Sequence, residues 1–218
     1  GQVQIGVHRY LKQRRQVVRP EPAELKPGDT TGQYRFNWDT AMQLSPFDAA
    51  TIYIGANMVL KSSDRGRSYQ PISPDLTTNT DREALSIMGV PGKDIRIAKH
   101  DGVGSFGNIV TLEESAARQG VVWVGSDDGV VSVTQDSGKT WANVTSKIPG
   151  VPKFTYVSDV VPSRAAAGTA YVTFDGHRGG EPAEHDAKLQ HVVPDHRLDA
   201  AEHRVRRQQR ADDDRRGV

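Results

Sequence analysis

Ser62-Ser63-Asp64-Arg65-Gly66-Arg67-Ser68-Tyr69 and Thr134-Gln135-Asp136-Ser137-Gly138-Lys139-Thr140-Trp141 are two copies of one octet. A hydroxyl opens each, a carboxylate stands third, glycine fifth and an aromatic ring eighth. A carboxylate at the third place can accept backbone N–H bonds inside a turn, as aspartate does in Asx-turns. Glycine two residues later permits a positive φ where a Cβ would clash. The closing ring can pack back between neighbouring sheets and bury a large apolar area.

Working outward, each octet follows the same strand pattern. The first is preceded by Met42-Gln43-Leu44-Ser45-Pro46-Phe47-Asp48, Thr51-Ile52-Tyr53-Ile54-Gly55 and Val59-Leu60-Lys61-Ser62. The second is preceded by residues 109–115, Val121-Val122-Trp123-Val124-Gly125 and Val130-Val131-Ser132-Val133-Thr134. A third unit runs over 156–161 and Thr169-Ala170-Tyr171-Val172-Thr173-Phe174. Short runs of β-branched and aromatic residues between turns read as all-β. Val124 and Val172 lie 48 positions apart, which suits one four-stranded propeller blade, whereas Ile54 and Val124 lie 70 apart. The first unit therefore carries an insertion between Thr77 and Asn108, and insertions on repeat scaffolds are where ligand contacts gather.

The octet resembles the Asp box, or BNR repeat, of sialidases, xyloglucanase-type glycosidases and sortilin-type receptors. Tyr34-Arg35-Phe36-Asn37-Trp38, Gln70-Pro71-Ile72-Ser73-Pro74-Asp75-Leu76-Thr77 and Val122-Trp123-Val124-Gly125-Ser126-Asp127-Asp128-Gly129 narrow the likeness. They resemble large bacterial exported proteins that carry a sortilin-like propeller and are labelled glycosyl hydrolases on the strength of the repeat. The resemblance covers about residues 3–178 and implies a protein several times longer, located outside the cytoplasm. It also implies that the octets are structural turns at the blade periphery. Ser62, Asp64, Gly66 and Tyr69, with Thr134, Asp136, Gly138 and Trp141, are then fold determinants rather than catalytic groups.

Composition bounds the remaining possibilities. With 28 Lys and Arg against 27 Asp and Glu, no global field draws the chain to nucleic acid or a membrane surface. No stretch is long and apolar enough to span a bilayer. The absence of cysteine excludes disulfides and thiolate metal sites. The chain opens on Gly-Gln-Val-Gln-Ile without a methionine or a signal peptide, so it is expected to be a fragment that begins inside a larger protein. The apolar share of 36% is low for a packed domain, so part of the chain should lie outside the core.

That part is the tail. Extending the octet offset to the third unit predicts an aspartate near 184, but Glu184 stands there without the following glycine and ring. From His177 onward there is no Phe, Trp, Tyr, Ile or Met, a composition that cannot bury enough surface to fold alone. Residues 177–218 read as a non-propeller tail, disordered or out of frame, with a weak helix over 197–211 as its one conceivable element. His185, His191, His196 and His203 lack the close ligand spacing of a metal site, so no metal and no cofactor is expected.

Other constellations are weaker. Gly102-Val103-Gly104-Ser105-Phe106-Gly107 matches a dinucleotide fingerprint by letters, but it follows no parallel strand and opens no helix. The basic run Arg9, Lys12, Arg14, Arg15 and Arg19 reads as a solvated hairpin ending an earlier blade. Asn143-Val144-Thr145 fits a glycosylation acceptor. Glycosidases need two carboxylates roughly 5 to 9.5 Å apart across a sugar. Asp39, Asp94, Asp101, Asp127, Asp128, Asp159 and Asp175 are candidates, with Asp127-Asp128-Gly129 read as a tight hairpin turn. Arg35 and Arg96 do not complete a sialidase arginine cluster.

The sequence thus predicts an all-β partial propeller of two to three four-stranded antiparallel blades. Residues 1–20 end a preceding blade; 34–72 and 108–145 form blades, 78–107 an insertion, and 154–176 an incomplete blade. The expected role is a scaffold binding a protein, peptide or glycan ligand, with the remaining blades as its structural partners and neither nucleic acid nor membrane involved. The alternative is part of a secreted glycoside hydrolase. An unclosed set of blades leaves two open sheet faces, so poor solubility or partial unfolding is expected of the isolated chain.

Overall fold

The computed structural model describes residues 6–8, 15–17, 34–87, 90–95, 106–176 and 190–192. In chain order the strands are β1 (Gly6–His8), β2 (Arg15–Val17), β3 (Met42–Leu44), β4 (Ile52–Gly55), β5 (Val59–Ser62), β6 (Gln70–Pro71), β7 (Ser86–Ile87) and β8 (Val90–Pro91). They continue as β9 (Ile109–Glu114), β10 (Val122–Ser126), β11 (Val131–Thr134), β12 (Ala142–Asn143), β13 (Tyr156–Pro162), β14 (Ala170–Asp175) and β15 (Gln190–Val192). Among the described residues the only helical elements are three short 3-10 turns, at Arg82–Ala84, Gly92–Asp94 and Thr145–Lys147.

The chain is a partial β-propeller. The first blade is a four-stranded antiparallel sheet in the order β3-β4-β5-β6, and the second is its repeat, β9-β10-β11-β12. The third blade holds β13-β14-β15. Two-stranded hairpins β1-β2 and β7-β8 stand apart from these sheets, the latter inside the 78–107 insertion.

The third blade corrects the reading of the tail. Gln190–Val192 fall in the stretch set aside as non-propeller, yet they pair with β14, Ala170 opposite Val192 and Val172 opposite Gln190. Strand pairing is made by backbone groups, so it does not require the aromatic residues whose absence marked this stretch. The rest of 177–218, including the helix expected over 197–211, lies outside the described residues.

Register makes the three blades superimposable position by position. Ile54 faces Met42, Val124 faces Leu112 and Val172 faces Val160 across the first two strands of each blade. The turn after the first strand is the same threefold. Ser45, Ser115 and Ser163 donate their backbone N–H to the carbonyls of Thr51, Val121 and Thr169. Their hydroxyls accept N–H bonds from Phe47, Ala117 and Ala165, closing a serine turn in each case.

Strand alternation sends successive side chains to opposite faces of each blade. Tyr53 and Val59 of the first blade meet Ile109, Leu112, Val122 and Val124 of the second. From the second blade's other face Trp123, Val131 and Val133 meet Val157, Val160, Ala170, Val172 and Phe174 of the third. Ile52, Ile54 and Leu60 form the far side of the first blade, covered in part by Tyr34, Phe36, Met58 and Tyr69. Gly55 and Gly125 mark where the blades come closest. A Cβ on Gly55 would stand 2.7 Å from Ile109 Cγ2, and one on Gly125 2.3 Å from Val157 Cγ1.

Candidate functional site

The two octets take the same conformation at the same place. Arg65 and Gly66 have φ of 63° and 80°, and Ser137 and Gly138 have 63° and 93°. The Ser62 hydroxyl accepts from Gly66 N at 2.8 Å and donates to Asp64 Oδ1 at 2.8 Å. Thr134 does the same with Gly138 N and Asp136 Oδ1, each at 2.9 Å. Asp64 Oδ1 accepts from Arg67 N and Ser68 N, and its Oδ2 from the Ser68 hydroxyl. Asp136 accepts from Thr140 N and the Thr140 hydroxyl. Arg65 N and Ser137 N then donate to Ala50 O and Gly120 O, tying each octet to the serine turn of its own blade.

The closing rings pack toward the preceding side of each blade. Tyr69 lies against Ile52, Ile54 and Leu60, while Trp141 reaches the first blade and donates Nε1–H to Ile72 O at 2.8 Å. Gly138 sits against the same residue, its added Cβ only 2.6 Å from Ile72 O.

Hydrogen bonds from the Ser68 hydroxyl and backbone hold the Asp64 carboxyl well below the usual carboxylate range. Those from Thr140 lower Asp136 to about 2. Because the folded-state value is depressed, each turn's contribution is present above about pH 4 and is lost as the pH falls through the folded value. Urea melts between pH 5 and pH 2 should show wild type losing more stability than Asp136→Asn, whose turn no longer titrates. Parallel pH dependences for the two proteins would exclude this linkage.

The opposite end of the blades, where β10 turns into β11, is organised by Asp127. It is buried, and its Oδ1 accepts from Gly107 N at 2.9 Å and Asn108 N at 2.8 Å. Its Oδ2 accepts from Asn37 Nδ2 at 2.8 Å and Asn108 Nδ2 at 2.9 Å. Burial pushes the Asp127 carboxyl above its usual range, the Asn108 and Asn37 bonds pull it back, and the Asp128 charge raises it again. Asp128, also buried, accepts from the Ser126 hydroxyl and from both N and Oγ1 of Thr78. Gly129, at φ 85°, closes the turn and lies against the Phe154–Thr155 backbone.

This turn therefore touches the segment entering the first strand of every blade: residue 37 before β3, 107 and 108 before β9, and 154 and 155 before β13. Each of those segments carries an aromatic ring. Trp38 is 76% exposed and Phe154 37%, and Phe106 stands 6.3 Å from Phe154 between ring centroids. Phe154 has φ 65°, a conformation that bulky side chains rarely adopt. Arg35 secures the start of the insertion, donating from Nη2 to Asp75 Oδ2 and Thr77 Oγ1 and from Nε to Gly107 O.

The other candidate carboxylates are dispersed. Asp39 is in the turn after Trp38, Asp94 is exposed on a 3-10 turn, and Asp175 ends β14. Asp159 accepts from the Thr111 hydroxyl at 3.2 Å. Asp101, Arg96 and Gly102 to Ser105 lie outside the described residues, as do the basic side chains near the N-terminus and His185, His196 and His203, while His191 falls in β15 opposite Tyr171. Among the described residues no three His, Asp or Glu side chains gather as a metal site, and no helix is long and apolar enough to cross a membrane.

Two carboxylates went unnoticed in the sequence. Glu114 is fully buried between the first two blades, accepting from the Ser45 hydroxyl and Gly120 N. Tyr53 is pushed above its ordinary value by burial and by that carboxylate. Glu113, one residue earlier, is raised by burial and by the Asp159 charge on the neighbouring blade.

No protein-family model matches the chain, and no curated protein does. Among solved structures it is similar to the GH74 xyloglucanase of Xanthomonas campestris, with 20% identity and a TM-score of 0.43, covering 70% of this chain and 20% of that one. A GH74 enzyme of Niastella koreensis gives 16% identity, a TM-score of 0.32, and coverage of 70% and 28%. YCF48 in a peptide-bound form gives 15% identity, a TM-score of 0.34, and coverage of 78% and 44%. The chain thus spans less than half the length of each.

Proposed function

We propose that this chain is part of an exported Asp-box propeller of the sortilin-like kind, and that it binds a protein, peptide or glycan ligand at the end where the Asp127–Gly129 turn meets the three entry segments. One observation carries the reading: Trp38, Phe106 and Phe154 occupy equivalent segments of successive blades, and the two outer rings are open to solvent. Exposed rings give contact area to a sugar face or an apolar peptide side chain at little conformational cost. Asp127 and Asp128 serve to position those segments, because the donors around them already engage both oxygens of each carboxylate.

Fluorescence titration of the chain with xyloglucan oligosaccharides and with a panel of synthetic peptides tests this. Binding of one probe class is expected, weakened at least tenfold in Trp38→Ala, with no new reducing ends. Failure of every probe, or indifference to Trp38→Ala, would remove the proposal.

The hydrolase alternative is favoured by a separate observation: burial and the Asp159 charge on the neighbouring blade lift the Glu113 carboxyl above its usual range. Release of reducing ends from xyloglucan, abolished by Glu113→Gln, would establish it instead.

A further inference from the structure

Two of the entry segments pass through left-handed backbone two residues before their first strand. Before β9 the residue is Gly107, at φ 81°, the residue type that takes this conformation without a clash. Before β13 it is Phe154, at φ 65°, although the repeat shows that glycine serves such a turn. The surroundings hold that backbone in place. Gly129 lies so close that a Cβ on it would meet Thr155 O at 2.9 Å and Phe154 Cα at 3.3 Å. The Thr155 hydroxyl donates back to Pro152 O at 2.8 Å. The ring displayed in this way is 37% exposed and stands 6.3 Å from the Phe106 ring, tilted by 51°. A bulky residue kept where its backbone is disfavoured, with its ring turned outward, points to a contact that the fold itself does not need.

The chemistry around the rings narrows what they can take. Asn37 and Asn108 commit their amide donors to Asp127, and Thr78 commits its hydroxyl to Asp128. Arg35 is committed to Asp75, Thr77 and Gly107. Lys153 and Asn79 are exposed outside this network. One amine and one amide cannot frame a sugar, whose hydroxyls edge it on every side and cost free energy wherever they are buried unpaired. An aromatic or aliphatic side chain makes no such demand, and phenylalanine offers it a ring without a polar edge.

We propose that Phe154 determines specificity at this end: with Phe106 it grips an aromatic or aliphatic side chain of a peptide and leaves sugars unbound. This rests on the ligand reading above and narrows it to one class.

The test titrates the full chain with short synthetic peptides, each made with Phe, Leu or Ser at one central position, and with xyloglucan oligosaccharides. Peptides carrying Phe or Leu should bind, their Ser counterparts at least tenfold more weakly, and the oligosaccharides not at all. Phe154→Gly should weaken peptide binding at least tenfold and still melt cooperatively. It should also melt above Phe154→Ala, because glycine alone fits the left-handed backbone. Oligosaccharide binding that depends on Trp38 would keep the ligand site and overturn this proposal. So would equal affinity for Ser and Phe peptides, wild-type affinity in Phe154→Gly, or a Phe154→Gly protein that fails to fold, which would assign the ring to the fold. Silence from every probe would remove the ligand reading and this proposal together.

Discussion

Gly125→Ala is expected to cost about 3 kcal/mol, the upper end for overpacking a close-packed interior. Its new methyl would fall 2.3 Å from Val157 Cγ1 and 2.8 Å from Thr111 Cγ2. Neither neighbour can retreat. Thr111 holds Asp159 and Val160 N by its hydroxyl, and Val157 is buried in the cluster between the second and third blades. The third blade must therefore shift as a body, and Trp123, wholly buried in the same cluster, loses contact with it. The cause can be separated from a general intolerance of substitution. Val157→Ala removes the atom in conflict, so the double variant should be more stable than the sum of the two single losses predicts. Equilibrium urea melts would measure all three. Additive losses would show that Gly125 matters for some reason other than this contact.

Asp127→Ala is expected to cost about 3–5 kcal/mol, since several buried donors lose their acceptor at once and each unsatisfied group costs about 1–3 kcal/mol. Gly107 N, Asn108 N and the amides of Asn37 and Asn108 would all be left facing a small cavity. Asparagine should rescue little, because every partner of this carboxylate is a donor and the new Nδ2 would oppose another N–H. The damage should be local as well as global: the entry segment bearing Trp38 would loosen, weakening ligand binding before the sheets unfold. Thermal melts and Trp38 fluorescence report the two effects separately. An Asp127→Asn protein as stable as wild type would contradict the donor-only arrangement.

Why the octets were legible and Asp127 was not follows from the range of their interactions. The bonds of Asp64 and Asp136 reach at most four residues along the chain, so spacing alone discloses the turn. Asp127 finds its partners 19, 20 and 90 residues away, and to a local reading Asp127-Asp128-Gly129 is only a hairpin corner. The runs of β-branched and aromatic residues in β4, β10 and β14, each bounded by turn residues, disclosed the strands, because such side chains suit a packed, pleated surface. They could not show that Gly55 and Gly125 are points of contact, since that depends on the blade arriving from elsewhere. The buried Glu114 was hidden for the same reason: its acceptor role depends on Ser45, 69 residues earlier. β15 escaped because strand addition to an exposed edge asks little of side chains.

Among the described residues the second blade alone has another blade packed on both of its faces, while the first and third each have one on a single face. In a linear stack of this kind opening begins at the extremities and works inward. Backbone amides of Trp123 and Val133 should accordingly be the last to exchange with deuterium, and those of the terminal sheets should fade first. The sequence order of loss would then read the architecture directly, from outside to centre, without any ligand being known.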